Sequence, residues 1–378
     1  MEKSTVIKNE EPVRCLAVGG EGKTLFLGGH NFLSRYDLDT ATRSKKVPFN
    51  RLALRMVLSK DEMFLFVGCD ISNPFTVAKI KSDTLEKLQD FRGHSGSVRA
   101  LLALDSLSTI ISSSEDNTII IWNLRFGSLQ KTLKEHVNQV DCLISNASET
   151  KFFSGSWDCQ VIEWGTSKFT RINKYPSDEP IGSLVLTPDE KSLIIGGKTK
   201  ISMLKLAEGV KKFSIKAHSD LIRSISLFGE YLISCSDDKS IRVAKFDNPK
   251  DFGLFKSHTG AVTQIQVLPD GRILSVAMDQ TCRITPIEAI SLTGSSLSAS
   301  KAPRSPTPPP APPTPSAPKA AVDPSARIKQ LEKENDEFRK VLEDMTKEIE
   351  GLNLVIKSLG AENMALKDAL REKETDEK

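Results

Sequence analysis

Cysteine is scarce and unpatterned in this 378-residue chain: Cys15, Cys69, Cys142, Cys159, Cys235 and Cys282, with no CxxC among them. Disulfide frameworks and cysteine-based metal sites need closer or paired spacings, so these six read as small buried strand residues and no metal is expected. No apolar run approaches the roughly 20 residues that cross a bilayer, and the opening MEKSTVIKNE has no apolar signal core. A cytoplasmic protein, or failing that a nuclear one, is expected. A strong charge of one sign is also missing: the net +3 is too small to argue for nucleic acid. No glycine-rich phosphate loop ending in Gly-Lys-Ser/Thr, no HExxH and no defensible carboxylate pair occurs, so catalytic residues and cofactors are expected to be none. With 39% apolar and 27% charged residues, the chain still has material for a substantial core.

What is present is a repeat. Gly93 to Trp122, GHSGSVRALLALDSLSTIISSSEDNTIIIW, opens on Gly-His, runs through two apolar strands and closes on Ile-Ile-Ile-Trp. The skeleton returns as His136 with Ser154-Gly-Ser-Trp-Asp158 and Trp164, as His218 with Ser234-Cys-Ser-Asp-Asp238, and as His258 with Asp279. The histidines stand 42, 82 and 40 residues apart, and the middle step is two periods. A period near forty with short alternating strands is the signature of a β-propeller. Counting back, units also begin near Pro12 and Leu52, and a degenerate one from Pro180 fills the long gap. Seven four-stranded units between about residues 10 and 290 are expected, an all-β seven-bladed propeller occupying residues 1–290. The last unit lacks a fourth strand and the first has a spare one, Ser4 to Lys8, so the N-terminal strand is expected to close the ring.

Beyond the repeats the composition changes twice. Residues 303–324 hold ten prolines and no aromatic residue, which points to an extended, disordered linker over 291–325. Ser305, Thr307 and Thr314 precede prolines there and are candidate phosphorylation sites. From Arg327 the period becomes seven, with Ile328, Asn335, Leu342, Ile349, Ile356 and Asn363 at a and Leu331, Phe338, Met345, Leu352, Leu359 and Leu366 at d. That pattern predicts a parallel coiled coil over 326–372, followed by a charged tail at 373–378. Asn335 and Asn363 favour a parallel dimer, whereas Arg327-Ile-Lys-Gln-Leu-Glu332 resembles a short pattern of parallel trimers. Dimer and trimer both stay open.

The first 290 residues resemble the WD40-repeat propeller family, in which a His, a Ser or Thr, an Asp and a Trp form a buried hydrogen-bonded set in each repeat. The matching residues are His94, Ser112, Asp116 and Trp122, then His136, Ser154, Asp158 and Trp164. His218, Ser234 and Asp238 keep three members with Ala244 in the fourth place, and His258, Ser275 and Asp279 end on Thr285. A catalytic triad occurs once, in a cleft, so a His, Ser and Asp that recur every forty residues are architecture. The resemblance further implies a binding face at the narrow top of the ring. Two positions per unit would look out there, and they bring together Arg14, Arg55, Arg99, Asp141 and Arg223 from one class and Trp157 from the other. Arginine and tryptophan dominate binding hot spots, and a ring of arginines suits an acidic or phosphorylated peptide.

The function implied is a non-enzymatic interaction scaffold, with the propeller holding a protein partner and the coil forming a homo-oligomer. The order of parts is similar to that of coronins, actin-binding scaffolds, which implies a cytoskeletal role, although their basic N-terminal signature is missing here. The alternative is a signalling or ubiquitin-ligase-type adaptor whose top face reads an acidic or phosphorylated peptide.

Overall fold

The computed structural model describes residues 4–70, 75–246, 252–256 and 258–287. The linker, the coiled coil from Ile328 to Leu366 and the charged tail expected from the sequence lie outside the described residues. Strands alternate with turns throughout, interrupted by single 3-10 turns at Gly20–Gly22 and Asp105–Leu107.

One repeat shows why the chain folds this way. Val98–Leu104, Thr109–Ser114, Ile119–Asn123 and Ser128–Leu133 pair antiparallel in that order, from the ring axis outward. The two middle strands are rich in isoleucine and small serines and are buried on both faces, as strands covered by neighbouring sheets must be. The outermost strands are more exposed. Val210–Lys216 alternates, with Val210, Lys212, Ser214 and Lys216 exposed, and such lysine-rich outer strands discourage edge-to-edge pairing. Turns that join the second and third strands place a non-glycine residue in the left-handed region: Asn117 (φ 66°), Cys159 (φ 60°), Lys239 (φ 68°) and Gln280 (φ 67°). Each follows the aspartate of its repeat, whose carboxylate accepts the backbone N–H two residues on at 2.9 to 3.1 Å. Those bonds hold a conformation that L-residues otherwise avoid.

The architecture is an all-β propeller, but its hydrogen bonds define six sheets, not the seven four-stranded units expected. Five sheets have four strands and one has six. The larger sheet arises because the first two expected units are joined through two long strands, Thr24–Asp37 and Thr42–Leu58. Residues 24–29 pair with Val13–Gly19 and residues 32–37 with 42–48, whereas 53–58 pair with Phe64–Cys69. Between the second and third strands of the His94, His136 and His218 repeats a Ser-x-Asp turn breaks the chain. Here the sequence reads Gly29-His30-Asn31, no aspartate accepts the turn amides, and the strand bends at Asn31 (φ 62°) and runs on.

Apolar clusters sit between successive sheets. Phe66, Val77 and Phe91 of one meet Val98, Ile110, Ile120 and Trp122 of the next, with the Phe91 and Trp122 rings edge-on at 5.5 Å. Burying a side chain of this size contributes about 1.5 to 3 kcal/mol, so each sheet depends on both neighbours. The ring closes through Thr5–Lys8, which pairs antiparallel with Thr281–Pro286 as the outer strand of the last sheet. Gln264 ties the seam from within: its side-chain amide accepts from Leu16 N–H at 3.0 Å and donates to Leu16 O at 3.2 Å. All six cysteines are free thiols, and burial pushes Cys15, Cys69 and Cys282 up to about 12.

Candidate interaction site at the channel mouth

The four His-Ser-Asp sets are hydrogen-bonded as units. His94 Nδ1 lies 2.9 Å from Asp116 Oδ2 and Nε2 lies 2.8 Å from Ser112 Oγ, which accepts from Trp122 Nε1 at 2.7 Å. His136, Asp158, Ser154 and Trp164 repeat this with every distance at 2.8 Å. His218 with Asp238 and Ser234, and His258 with Asp279 and Ser275, keep the first two links. A carboxylate can only accept, so Nδ1–H donates to it and Nε2 accepts the serine proton. Burial depresses His218 and His258, keeping both neutral. The serines are no more than 1% exposed, which leaves no path for a substrate to Oγ. Sequence inspection missed a fifth member: Thr118, Ser240 and Thr281 each donate to the aspartate at 2.6 Å. The signal was available as a hydroxyl residue two places after each of three aspartates. Thr285, in the fourth place of the last set, is buried with its hydroxyl unpaired.

The axis of the ring is a different environment. Six innermost strands share one irregularity, an extra residue skipped by the ladder immediately after the first residue paired to the second strand, and in five of them that residue is Arg14, Arg99, Asp141, Arg223 or Thr263. A bulge redirects its side chain out of the sheet pattern, here toward the axis. Arg55 departs from this equivalence: the skipped residue in its strand is Leu54, and Arg55 itself pairs with Gly68. It nevertheless reaches the same recess, a cavity of about 220 Å³ lined by Arg14, Leu54, Arg55, Arg99, Arg223 and Met278 among others. Arg55 and Arg223 also line an adjoining cavity of about 180 Å³ that includes Asp141.

Two carboxylates answer these four guanidinium groups. Arg223 binds Asp237 through Nε and Nη2 at 2.6 to 3.0 Å, and despite the opposing effect of burial this partner raises its pKa. Arg99 Nε donates to Asp141 Oδ1 at 3.1 Å, and Glu115 stands 3.5 Å away on the exposed rim. Asp141, expected as a surface contact, is buried at 4% exposure and serves as an internal counter-ion. It also accepts from Gln139 Nε2 at 3.2 Å and from Trp157 Nε1 at 2.9 Å. Trp157 is thus pinned by its N–H while 36% of it faces solvent. Among the described residues, neither Arg14 nor Arg55 bonds a carboxylate; Arg55 donates to the carbonyl of Leu54 at 2.8 Å. Burial, then the charges of Arg223 and Arg99, lower the pKa of Arg14. Burial, then Arg99, pushes Arg55 down to about 10, and both stay charged at neutral pH. Among the described residues no helix is long and apolar enough to cross a membrane, and no group of His, Cys, Asp and Glu could hold a metal.

Four stretches, residues 85–123, 127–165, 209–244 and 250–285, match the family described as WD domain, G-beta repeat. The chain is 28% identical over 158 residues to mitochondrial division protein 1 of Aspergillus clavatus, across 41% of this chain and 23% of that protein. It is 24% identical over 224 residues to the U3 small nucleolar RNA-associated protein 15 homolog of Xenopus tropicalis, across 58% and 42%. The WD repeat domain-containing protein 83 homolog of Dictyostelium discoideum is 31% identical over 113 residues, across 29% and 34%. In each case the chain spans less than half of the relative's length. None of these three names is that of a coronin or of an actin-associated protein, so the cytoskeletal expectation drawn from the order of parts finds no support here. The names belong to unrelated cellular settings, so the likeness shows a shared repeat and names no partner for this chain.

Proposed function

This chain belongs to the WD40-repeat family, and from that premise we propose that it is a non-enzymatic protein-interaction scaffold whose channel mouth captures an acidic or phosphorylated segment of a partner. The observation that carries this reading is the excess of guanidinium over carboxylate at the recess: four arginines against Asp141 and Asp237, with Trp157 beside them. Gathering like charges in a half-buried recess costs free energy, which an incoming anion offsets. Arg99 and Trp157 act together because Asp141 holds both. In the same reading the heptad segment at 326–372 clusters several propellers, so weak single contacts gain avidity by ~10² to 10⁴ where spacing allows.

Binding of acidic peptides to the full chain tests this, measured by calorimetry beside the double variant Arg99→Ala, Trp157→Ala. Wild type should retain peptide and the variant should lose at least about tenfold in affinity, as expected for hot-spot residues of this kind. Equal binding by both would remove the channel mouth from the function.

A further inference from the structure

The charge balance of the recess distinguishes one kind of anion from another, an inference that rests on the acidic-ligand reading above. Arg99 and Arg223 are matched by Asp141 and Asp237. Glu115 adds little, being 39% exposed at the side chain and 3.5 Å from Arg99 in water that screens it. Arg14 and Arg55 remain, two positive charges lining the 220 Å³ recess with no hydrogen-bonded carboxylate of their own among the described residues; the nearby Asp237 and Asp141 are already bonded to Arg223 and Arg99. A glutamate or aspartate side chain would cancel one of them. A phosphate monoester carries about −1.5 to −2 at neutral pH and presents three acceptor oxygens, and planar guanidinium forks match it through paired hydrogen bonds where an ammonium cannot. Leu54, Ala261 and Met278 form an apolar part of the wall, suited to the stem of a side chain that delivers the charged group.

We propose that the recess between Arg14, Arg55, Arg99 and Arg223 binds the phosphoryl dianion of a phosphorylated serine or threonine on a partner peptide, in preference to a carboxylate.

The molecule carries its own reporter. Of its three tryptophans, Trp122 and Trp164 are 1% exposed and Trp157 is 36% exposed. Trp157 donates to Asp141, and Asp141 accepts from Arg99, so an anion drawing on Arg99 alters the surroundings of the Trp157 indole. Tryptophan emission of the full chain would be titrated with three probes: a Gly-Gly-phosphoserine-Gly-Gly peptide with blocked ends, the same peptide with glutamate in the central place, and inorganic phosphate. The phosphopeptide should bind at least about tenfold more tightly than either of the others. Its affinity should fall several-fold between about pH 7.5 and about pH 5.5, because the second phosphate ionisation lies near 6, while the glutamate peptide changes little. Arg14→Gln should weaken the phosphopeptide about tenfold. Arg14→Lys, which keeps the charge without the fork, should recover part of that loss, and both variants should melt with the wild-type midpoint. Equal affinity for the glutamate peptide would overturn phosphoryl selection and leave the acidic-peptide reading standing. Inorganic phosphate binding as tightly as the phosphopeptide would overturn the peptide source. If no probe changes the emission or gives heat in a parallel calorimetric titration, both readings fall.

Discussion

Removing the serine hydroxyl from each buried set should cost unequal amounts, in proportion to what each serine holds. Ser112 and Ser154 each serve two partners, a histidine Nε2 at 2.8 Å and an indole N–H at 2.7 or 2.8 Å. Ser234 and Ser275 serve the histidine alone, because Ala244 and Thr285 stand where the tryptophan would be. A buried polar group left without a partner costs about 1 to 3 kcal/mol. Ser112→Ala or Ser154→Ala therefore strands two groups and should cost on the order of 2 to 6 kcal/mol. Ser234→Ala or Ser275→Ala strands one and should cost about 1 to 3 kcal/mol. None of the four sites is open to bulk solvent, since the serines are at most 1% exposed. Urea titration of the full chain, monitored by far-ultraviolet circular dichroism, gives the four shifts in midpoint under one set of conditions. Equal losses at all four positions, or a greater loss at Ser275 than at Ser112, would refute the reasoning that the tryptophan is bonded through the serine.

Further outcomes follow from the same structure. Asp90→Ala removes the bidentate partner of Arg51, whose side chain is 7% exposed and donates at 2.7 and 2.8 Å; breaking such a buried pair should cost about 3 to 5 kcal/mol, read as a lower urea midpoint. Stability should fall in two stages as pH drops. Below the ordinary histidine value of 6.5 the unfolded chain takes up protons that His218 and His258, depressed by burial, refuse in the folded state. Below 3.8 the aspartates follow: burial opposes ionisation of Asp238, but its bonds to Ser240, Ser219 and His218 hold it down to about 2, and the stability it contributes is lost as pH falls toward that value. Thermal midpoints from about pH 8 down to about pH 3 would show both stages, and a midpoint that rises on acidification would contradict them. Light scattering should give a dimer or trimer for the full chain and a monomer for a chain ending at Ser298; monomers in both cases would remove the proposed self-assembly.

Much of the propeller is legible in the chain because four of its repeats satisfy their buried polar groups with the same residues at the same spacing. His94 and His136 announce their repeats, and the alternation in Val210–Lys216 announces an outer strand. The fusion of the first two units was not legible. It depends on Thr42–Leu58 running without a break from its pairing with residues 32–37 into its pairing with Phe64–Cys69, a continuity that no spacing within the repeat announces. The recess was half legible. Periodicity placed Arg14, Arg99 and Arg223 in one class, yet a ladder irregularity one residue earlier than expected put Leu54 where Arg55 had been assigned. Asp141 shared their class but not their role, since only Arg99, 42 residues earlier, makes it a buried counter-ion.

The strand that closes the ring also sets a timetable for synthesis. Thr5–Lys8 leaves the ribosome ahead of its partner Thr281–Pro286, which follows about 270 residues later. At roughly 5 to 20 residues per second, that interval is on the order of 15 to 55 seconds. During it the first sheet lacks the neighbour that supplies Leu268, Leu274 and Val276 to its core, and the partly built propeller presents apolar surface and an unpaired strand edge to solvent. A nascent chain of this kind is a natural client for chaperones, and substitutions at Leu16 or Gln264 should reduce yield during synthesis more than they harm the finished ring.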